Sequence, residues 1–169
     1  MIYVDDLLIL SKSHEELDQV KKQISNEFKS KDLGEARSFL GITLRQGRDM
    51  IHLSQREYAE KILTRAQMLN CNPAITPSAV TLRFTDNKVG ETINQSEFRS
   101  LIGALLYLAT KTRPDISFIV SRLAKFVAEP KTQHWTAAKR LLRYISRTLD
   151  LGIAFTRSEN LQDLIAYSD

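Results

Sequence analysis

The second half of the sequence contains three stretches in which apolar residues recur at helical spacing, and this pattern constrains the fold more than any other feature. The first stretch runs from about residue 96 to Thr112-Arg113-Pro114, the second begins at Pro114, and the third covers about 133–149. Residues three or four apart share one face of a helix, and proline suits a helix's first turn but not its interior. The pattern therefore predicts three consecutive helices, each with one apolar face.

The first half begins with a pattern typical of a β-hairpin. Ile2-Tyr3-Val4 and Leu7-Leu8-Ile9-Leu10 are apolar runs on either side of Asp5-Asp6, which predicts two paired strands with both acidic residues in the turn. Apolar residues then recur at helical spacing over roughly residues 14–29. Ser13, followed three residues later by a glutamate, is typical of the capping box that begins such a helix.

A second hairpin is predicted after that helix. The runs Phe39-Leu40-Gly41-Ile42-Thr43-Leu44 and Met50-Ile51-His52-Leu53 flank the polar turn residues Gln46-Gly47-Arg48-Asp49. Ser54 and Glu57 then have the spacing of a second capping box, which predicts a helix that begins directly after the hairpin.

The rest of the chain contributes a connection and two short strands. Residues 71–95 carry two prolines and scattered polar residues, which predicts an irregular linker. After Gly152, the runs Ile153-Ala154-Phe155 and Leu164-Ile165-Ala166-Tyr167 favour short strands. Hairpins followed by helices predict an α+β fold.

Composition limits the classes of protein to which this sequence can belong. Its 169 residues, 43% hydrophobic and 26% charged, are typical of one globular domain or of two incomplete pieces of a larger protein. There is no apolar run long enough to span a bilayer and no signal-peptide pattern, so we expect an intracellular protein without a membrane partner. The single cysteine, Cys71, excludes a disulfide within this sequence and a zinc site of several cysteines.

Charge is distributed unevenly along the chain. Residues 97–150 carry ten basic and four acidic side chains, whereas residues 1–96 are neutral overall. Within the last predicted helix, Lys139, Arg143 and Arg147 recur every four residues, with Arg140 beside them. Such a stripe can bind the phosphates of a nucleic-acid backbone with no preference for sequence. The alternative is an ordinary solvated helix face.

The adjacent carboxylates Asp5 and Asp6 are the sharpest chemical feature of the sequence. Two like charges repel each other in a turn, and a divalent cation such as Mg²⁺ removes that repulsion by taking both as oxygen ligands. Carboxylates on a rigid hairpin are what a two-metal phosphoryl-transfer site requires. An acidic pair in a turn is otherwise a solvated loop, and the pair alone does not decide between the two interpretations.

Several motifs, in their order along the chain, resemble those of copia-type retrotransposon reverse transcriptases. Tyr3-Val4-Asp5-Asp6 between apolar strands is similar to the catalytic turn of retroviral and retrotransposon reverse transcriptases. The resemblance continues through Asp32–Gly34, Phe39–Ile42, Leu53–Leu63, Tyr107–Ile116, His134–Tyr144 and Ala166–Asp169. The sequence is therefore identified as a member of this family, covering the C-terminal half of its reverse transcriptase and the start of the linked ribonuclease H.

The resemblance implies roles for particular residues. Asp5 and Asp6 match one carboxylate pair of the polymerase site, which holds Mg²⁺, with Mn²⁺ as an alternative. Asp169 matches the first metal-binding carboxylate of ribonuclease H. Tyr3 and Val4 would lie under the primer terminus, and Phe39-Leu40-Gly41 would position the primer backbone.

The resemblance also implies how the chain is organised and what it binds. We expect a partial palm over residues 1–70, a linker over 71–95, a helical thumb or connection region over 96–150, and the start of ribonuclease H over 151–169. The partners would be an RNA template, a DNA primer and a deoxynucleoside triphosphate, together with the remainder of the Pol polyprotein. The compartment would be the cytoplasm, in a virus-like particle, or the nucleus.

Two functional hypotheses remain open. The first is a fragment of an RNA-directed DNA polymerase that works by two-metal nucleotidyl transfer. In this family a third aspartate comes from a strand upstream of the acidic turn, so we expect no polymerisation by these 169 residues alone. The second is a catalytically inactive retrotransposon remnant that at most binds nucleic acid through its basic helices.

Other conspicuous side chains are interpreted as structural. Arg113 and Asp115, on either side of Pro114, have the spacing of a local cap and ion pair. Trp135 is in the register of a core anchor. His14, His52 and His134 match no zinc spacing, which favours surface or capping roles.

Overall fold

The computed structural model describes residues 1–79, 84 and 90–157, and the chain forms two compact units, Met1–Leu40 and Gly41–Asp169. Helices and antiparallel strands are both present, which confirms the predicted α+β class. No helix in the described ranges is long and apolar enough to cross a membrane. The predicted strand at 164–167 and Asp169 lie outside the described residues.

The first unit consists of a small hairpin, one helix and a two-residue strand. Strand β1 (Ile2–Tyr3) pairs with β2 (Asp6–Leu7), helix α1 spans His14–Glu27, and β3 is Ser38–Phe39. The hairpin is lengthened by main-chain hydrogen bonds between Met1 and Leu8, at 2.8 and 2.9 Å. Helix α1 has the predicted apolar stripe, but none of its residues is buried.

In its described residues, the second unit contains a sheet and four α-helices. Strands β4 (Ile42–Gln46) and β5 (Met50–Ser54) form the predicted second hairpin. The helices are α2 (Arg56–Arg65), α3 (Gln95–Lys111), α4 (Ser117–Ala124) and α5 (Thr132–Arg147), and a 3₁₀ turn (Pro114–Ile116) precedes α4. Strand β6 (Gly152–Thr156) pairs antiparallel with β5, so the strands of this unit follow the order β4-β5-β6.

The core is built by the helices, as their apolar stripes predict. Its fully buried members come from all four helices and include Leu63, Leu105, Leu123 and Leu141. The buried positions on each helix are three or four residues apart, which is the spacing of one helix face. Helix α2 shares this core with α3 and α5, across the segment predicted to be a linker.

The sheet contributes little to that core. Leu44, Leu53 and Ile153 lie side by side across its three strands, and so do Gln46, Ile51 and Phe155. These side chains are half-buried or exposed, and none belongs to the buried core cluster.

Gly152 permits the close pairing of β6 with β5. A Cβ at this position would lie 2.1 Å from the Leu53 carbonyl oxygen, a distance that no side chain can occupy. In the sequence, Gly152 is only the residue before a predicted short strand, whereas in the structure it lets the two strands approach.

Two sequence expectations about local structure are wrong. The run from Phe39 to Leu44 is not one strand, because Leu40 and Gly41 both have left-handed backbone angles, φ 51° and 73°, and form a turn before β4. The predicted capping boxes are also absent. Ser11, rather than Ser13, bonds Glu16, and Ser54 is the last residue of β5, so that Gln55 precedes α2.

Candidate functional site

The acidic pair lies at the tip of the first hairpin, but the turn is displaced by one residue from the predicted position. Tyr3 pairs with Asp6, so Val4 and Asp5 form the turn and Asp6 begins β2. This register sets Ile2 opposite Leu7, a favourable apolar cross-strand pair. The prediction of Asp5-Asp6 as the turn is therefore wrong by one residue.

The geometry of the hairpin places the two carboxylates in different positions. Residues directly opposite each other in antiparallel strands point to the same face, so the Asp6 side chain and the Tyr3 ring share a face of the hairpin. Asp5 lies at the apex. Val4 precedes it with a left-handed φ of 50°, which is rare for a β-branched residue and costs on the order of 1–3 kcal/mol.

Asp5 and Asp6 are exposed, and within the described part of the chain neither carboxylate has a hydrogen bond or an ion pair. Asp32, another exposed aspartate of the first unit, differs in both respects. It accepts a hydrogen bond from the Gly34 amide at 2.8 Å and pairs with Lys21 at 3.0 Å, and these contacts lower the pKa of its carboxyl group. The acidic pair is therefore the better prepared of the two to bind an external cation.

The donor set at the hairpin fits magnesium only in part. Among the described residues, no group of three or more His, Cys, Asp or Glu side chains could hold a metal ion. Magnesium is commonly bound by one or two carboxylates and completes its octahedron with water and substrate phosphates. Two carboxylates without competing partners satisfy that requirement, whereas a dedicated all-protein cage is not present in this part of the chain.

Phe39, Leu40 and Gly41, predicted to position a primer, form the end of β3 and the turn that follows it. The left-handed backbone at Leu40 and Gly41 reverses the chain within two residues. A Cβ on Gly41 would meet no atom within 4 Å, so the positive φ, and not crowding, favours glycine there.

The basic residues of α5 divide into two pairs. Lys139 and Arg147 are exposed, and the Lys139 ammonium lies 5.9 Å from the centre of the Trp135 ring. Arg140 and Arg143 instead bind the segment Cys71–Thr76, which we call the strap. The Arg140 guanidinium donates to the Thr76 hydroxyl at 2.9 Å, and Arg143 Nε donates to the Asn72 carbonyl at 2.6 Å.

The strap makes two further contacts with α5. The Ala74 amide donates to the Arg143 carbonyl at 3.1 Å, and the Cys71 thiol lies 3.5 Å from the Ser146 hydroxyl. The sequence did not predict the strap, because its partners are about 70 positions apart and nothing local marks them.

Arg113 and Asp115 have the structural role that their spacing predicts. Arg113 is 2% exposed and forms two hydrogen bonds with the Asp115 carboxylate, at 2.8 and 2.9 Å. It also donates to the carbonyl and the hydroxyl of Thr148. Although burial raises the pKa of the Asp115 carboxyl group, the bonds and charge of Arg113 outweigh it and leave that pKa below its usual value.

Three buried polar residues were missed or only partly predicted. Gln55 and Thr112 are both buried and share a 2.9 Å hydrogen bond over 57 positions of sequence. His134 has the predicted capping role, because its Nδ1 accepts the Lys131 amide at 2.9 Å, but it is fully buried rather than on the surface. Trp135 packs against the core beside Phe98, as its register predicts.

Comparison with known proteins identifies the group to which these features belong. A family described as reverse transcriptase (RNA-dependent DNA polymerase) matches residues 1–80. The retrovirus-related Pol polyprotein from transposon RE2 of Arabidopsis thaliana is 38% identical over the whole chain, which spans 12% of that polyprotein. The corresponding polyprotein from transposon TNT 1-94 of Nicotiana tabacum is 33% identical, again over the whole chain, which spans 13% of it.

A shorter relative matches almost as much of the chain. An uncharacterized mitochondrial protein of Arabidopsis thaliana is 38% identical over 161 residues, which are 95% of this chain and 66% of that protein. No solved structure matches the chain. The matched sequences and the acidic hairpin lead to one conclusion: the chain belongs to the reverse transcriptase family of copia-type retrotransposon Pol polyproteins.

Proposed function

We propose that this chain is a segment of an RNA-directed DNA polymerase and that Asp5 and Asp6 are its contribution to a two-metal nucleotidyl-transfer site. The observation that carries the proposal is the hairpin itself, because two carboxylates without competing partners stand at its tip, inside the segment that matches the family. The remaining site residues would come from other parts of a polyprotein, of which this chain spans about one eighth in its relatives.

Elementary electrostatics supports Mg²⁺, with Mn²⁺ as the alternative, as the bound ion. Two adjacent exposed carboxylates repel each other, and a divalent cation converts that repulsion into attraction. The ions would supply Lewis-acid chemistry that activates the primer hydroxyl and stabilises the leaving pyrophosphate. The chain's own part is to hold two oxygen donors on a short hairpin, with Asp5 at the apex and Asp6 fixed by its pairing with Tyr3.

The proposed substrates are an RNA template, a DNA primer and a deoxynucleoside triphosphate. Tyr3 and Val4 are exposed beside the carboxylates, where they could contact a primer terminus. Phe39, Leu40 and Gly41 would position the primer backbone, because main-chain groups commonly contact nucleic-acid backbones and the left-handed angles at Leu40 and Gly41 turn the main chain there.

Duplex binding is the second part of the proposal, and we assign it first to Lys139 and Arg147. Both side chains are exposed on α5, so they can reach phosphates without the loss of an existing bond. Arg140 and Arg143 each donate a hydrogen bond to the strap. Because a guanidinium has five N–H groups, each still has donors for a phosphate.

Metal binding can be tested on the isolated chain by Mn²⁺-induced broadening of amide NMR signals. We expect broadening centred on residues 4–7, with loss of the effect in Asp5→Asn and Asp6→Asn variants. Asp32→Asn is the matched control, because Asp32 is an exposed aspartate of the same unit that already has partners. Broadening that is as strong around Asp32, or that survives both hairpin substitutions, would exclude the proposed metal site.

Duplex binding needs a separate measurement of affinity against salt concentration. We expect a Lys139→Gln/Arg147→Gln variant to bind an RNA–DNA duplex more weakly, with a log–log salt slope reduced by about 2, since each phosphate contact contributes about one unit. A Lys29→Gln/Lys31→Gln variant removes two exposed charges from the first unit as a control. If both variants bind alike, α5 has no specific part in binding.

The alternative function is nucleic-acid binding without catalysis, for which the exposed cations of α5, Lys139 and Arg147, would suffice. The two measurements separate these functions. Duplex binding that depends on Lys139 and Arg147, combined with no focused Mn²⁺ effect at the hairpin, would favour the alternative.

A further inference from the structure

Helix α4 presents an outer face of unusual composition. Its inward residues, Ile119, Val120 and Leu123, are buried in the core. The opposite positions, at helical spacing, carry Phe118, Ser121, Arg122 and Lys125, which we call the α4 outer face. Phe118 is 68% exposed, although its neighbours on that face are polar or basic. An aromatic ring among basic groups is the feature that needs an explanation.

We propose that the α4 outer face binds single-stranded nucleic acid, with an unpaired base stacked on Phe118 and phosphates held by Arg122 and Lys125. Sequence-tolerant binding of single strands combines these two elements, an aromatic platform for bases and cations for the backbone. The proposal does not depend on the acidic hairpin or on α5, so it can fail or succeed independently of the proposed polymerase function.

Arg122 is already held by neighbouring rings in a position that suits phosphate binding. Its guanidinium carbon lies 5.2 Å from the centre of the Phe84 ring and 5.7 Å from the centre of the Phe118 ring. A guanidinium packed against aromatic faces keeps N–H donors in its own plane, where they can bond a phosphate. Holding the side chain in advance reduces the entropy lost when it binds.

The ring on the inner side of Arg122 is itself fixed by the core. Phe84 packs edge-on against Phe126, with ring centres 5.1 Å apart, and against the buried His134 at 5.2 Å. Phe126 and His134 stack at 4.1 Å. Arg122 therefore caps a rigid aromatic cluster, and Phe118 is the only ring of this series that is exposed to solvent.

The charges around the face favour a polyanion. Helix α4 contains no acidic residue. Of the acidic residues just outside it, Asp115 is bound by Arg113 and Glu129 is paired with Lys131. In the described part of the chain, Arg122 and Lys125 take part in no salt bridge. Their charges are thus available to a phosphate backbone.

An unpaired strand fits this face better than a duplex does. Bases within a duplex are stacked on both sides, so an isolated ring that stands out from a helix has no base face to contact. An unpaired base presents its π-face to any aromatic group. We therefore expect Phe118 to contribute to single-strand binding and to leave duplex binding unchanged.

The test is fluorescence anisotropy of a labelled single-stranded oligothymidine and of a labelled duplex of the same length, with the full chain. Phe118→Ala should weaken single-strand binding about tenfold, with no change for the duplex. Phe118→Leu keeps apolar bulk without a π-face and should lose as much, whereas Phe118→Trp should retain binding. Lys125→Gln should reduce the single-strand salt slope by about 0.7, the contribution of one phosphate contact on a single strand.

Phe155→Ala is the matched control, because Phe155 is 56% exposed and lies on β6 instead of α4. Circular dichroism of each variant checks that the fold is kept. Equal single-strand affinity for Phe118→Ala and Phe155→Ala would overturn the proposal. So would full binding by Phe118→Leu, since an apolar contact with a protein partner would then explain the exposed ring.

Discussion

The first unit and the helices of the second unit are similarly apolar but use their apolar residues differently. Residues 1–40 are about as rich in hydrophobic side chains as the whole chain, yet none of them is buried. Helices α2–α5 each bury at least one leucine completely, at 0–1% exposure. The difference lies in architecture, because four helices can enclose a common core, whereas a two-stranded hairpin and one helix offer too few layers.

This comparison explains why the candidate metal site and the rigid part of the molecule do not coincide. The carboxylates Asp5 and Asp6 stand on a hairpin held by main-chain bonds and exposed side chains. A metal site needs ligands held in a fixed geometry, whereas no side chain of this hairpin is buried.

The largest expected difference is in amide exchange with deuterium. Core amides of α3, such as that of Leu105, should exchange only by unfolding of the unit, which slows them on the order of a thousandfold or more. Amides of residues 1–12 should exchange within about tenfold of a free peptide, because local opening of an unburied hairpin costs little. Mass spectrometry of digested fragments measures both. Strong protection of residues 1–12 would contradict the contrast.

A matched pair of leucine substitutions measures the same contrast as stability. Leu105→Ala removes a side chain that is 0% exposed, and we expect the free energy of unfolding to fall by about 3–5 kcal/mol. Leu33→Ala removes one that is 82% exposed in the first unit and should change it by less than about 0.5 kcal/mol. Urea unfolding followed by circular dichroism provides both values, and similar losses would show that the first unit also has a packed interior.

The buried arginine of the second unit should be nearly as important as its leucines. Arg113→Ala leaves Asp115 and the Thr148 carbonyl without their partner, and we expect a loss of about 3 kcal/mol, near the lower end for a buried pair because the Asp115 side chain is 33% exposed. Arg113→Lys cannot form the bidentate pair with Asp115, so this variant should retain only part of the stability that Arg113→Ala loses. Arg99→Ala, at an exposed position of α3, is the control.

The sequence predicts features that depend on neighbouring residues and does not predict contacts between residues that are far apart in the chain. The helices were predicted to within a few residues, because periodicity and Pro114 are local. The predicted position of the first turn was wrong by one residue, because the turn residues Val4 and Asp5 include no glycine or asparagine that would mark them. The pairing of β6 with β5 and the strap on α5 join residues about 70 to 100 positions apart, and one sequence contains no signal for such contacts.

The sheet of the second unit is more buried than the first unit and less buried than the helical core. Substitutions at two glycines test how much the sheet contributes to stability. Gly152→Ala would bring a Cβ to 2.1 Å from the Leu53 carbonyl oxygen, so we expect a loss of about 1–3 kcal/mol as β6 is displaced. Gly103→Ala, in α3, meets no atom within 4 Å and should stabilise the helix by about 1 kcal/mol. Thermal unfolding measures both signs. A neutral Gly152→Ala would mean that β6 does not hold the sheet.

The smallest expected effect is a difference between the two units in how their stability depends on pH. Burial, aided by the nearby Lys131 charge, lowers the pKa of His134 below its ordinary value of 6.5. The unfolded chain then binds a proton more readily than the folded one, so the free energy of unfolding should fall as pH drops below about 6.5 and level off under the folded pKa. His134→Gln keeps a side-chain acceptor for the Lys131 amide but does not titrate, so stability should vary less over this window. The exchange rates of residues 1–12, corrected for the intrinsic pH effect, should show no such dependence, because His134 belongs to the core of the second unit. A pH profile that is unchanged by His134→Gln would remove His134 as its cause, and one shared by the hairpin would mean that the two units do not unfold separately.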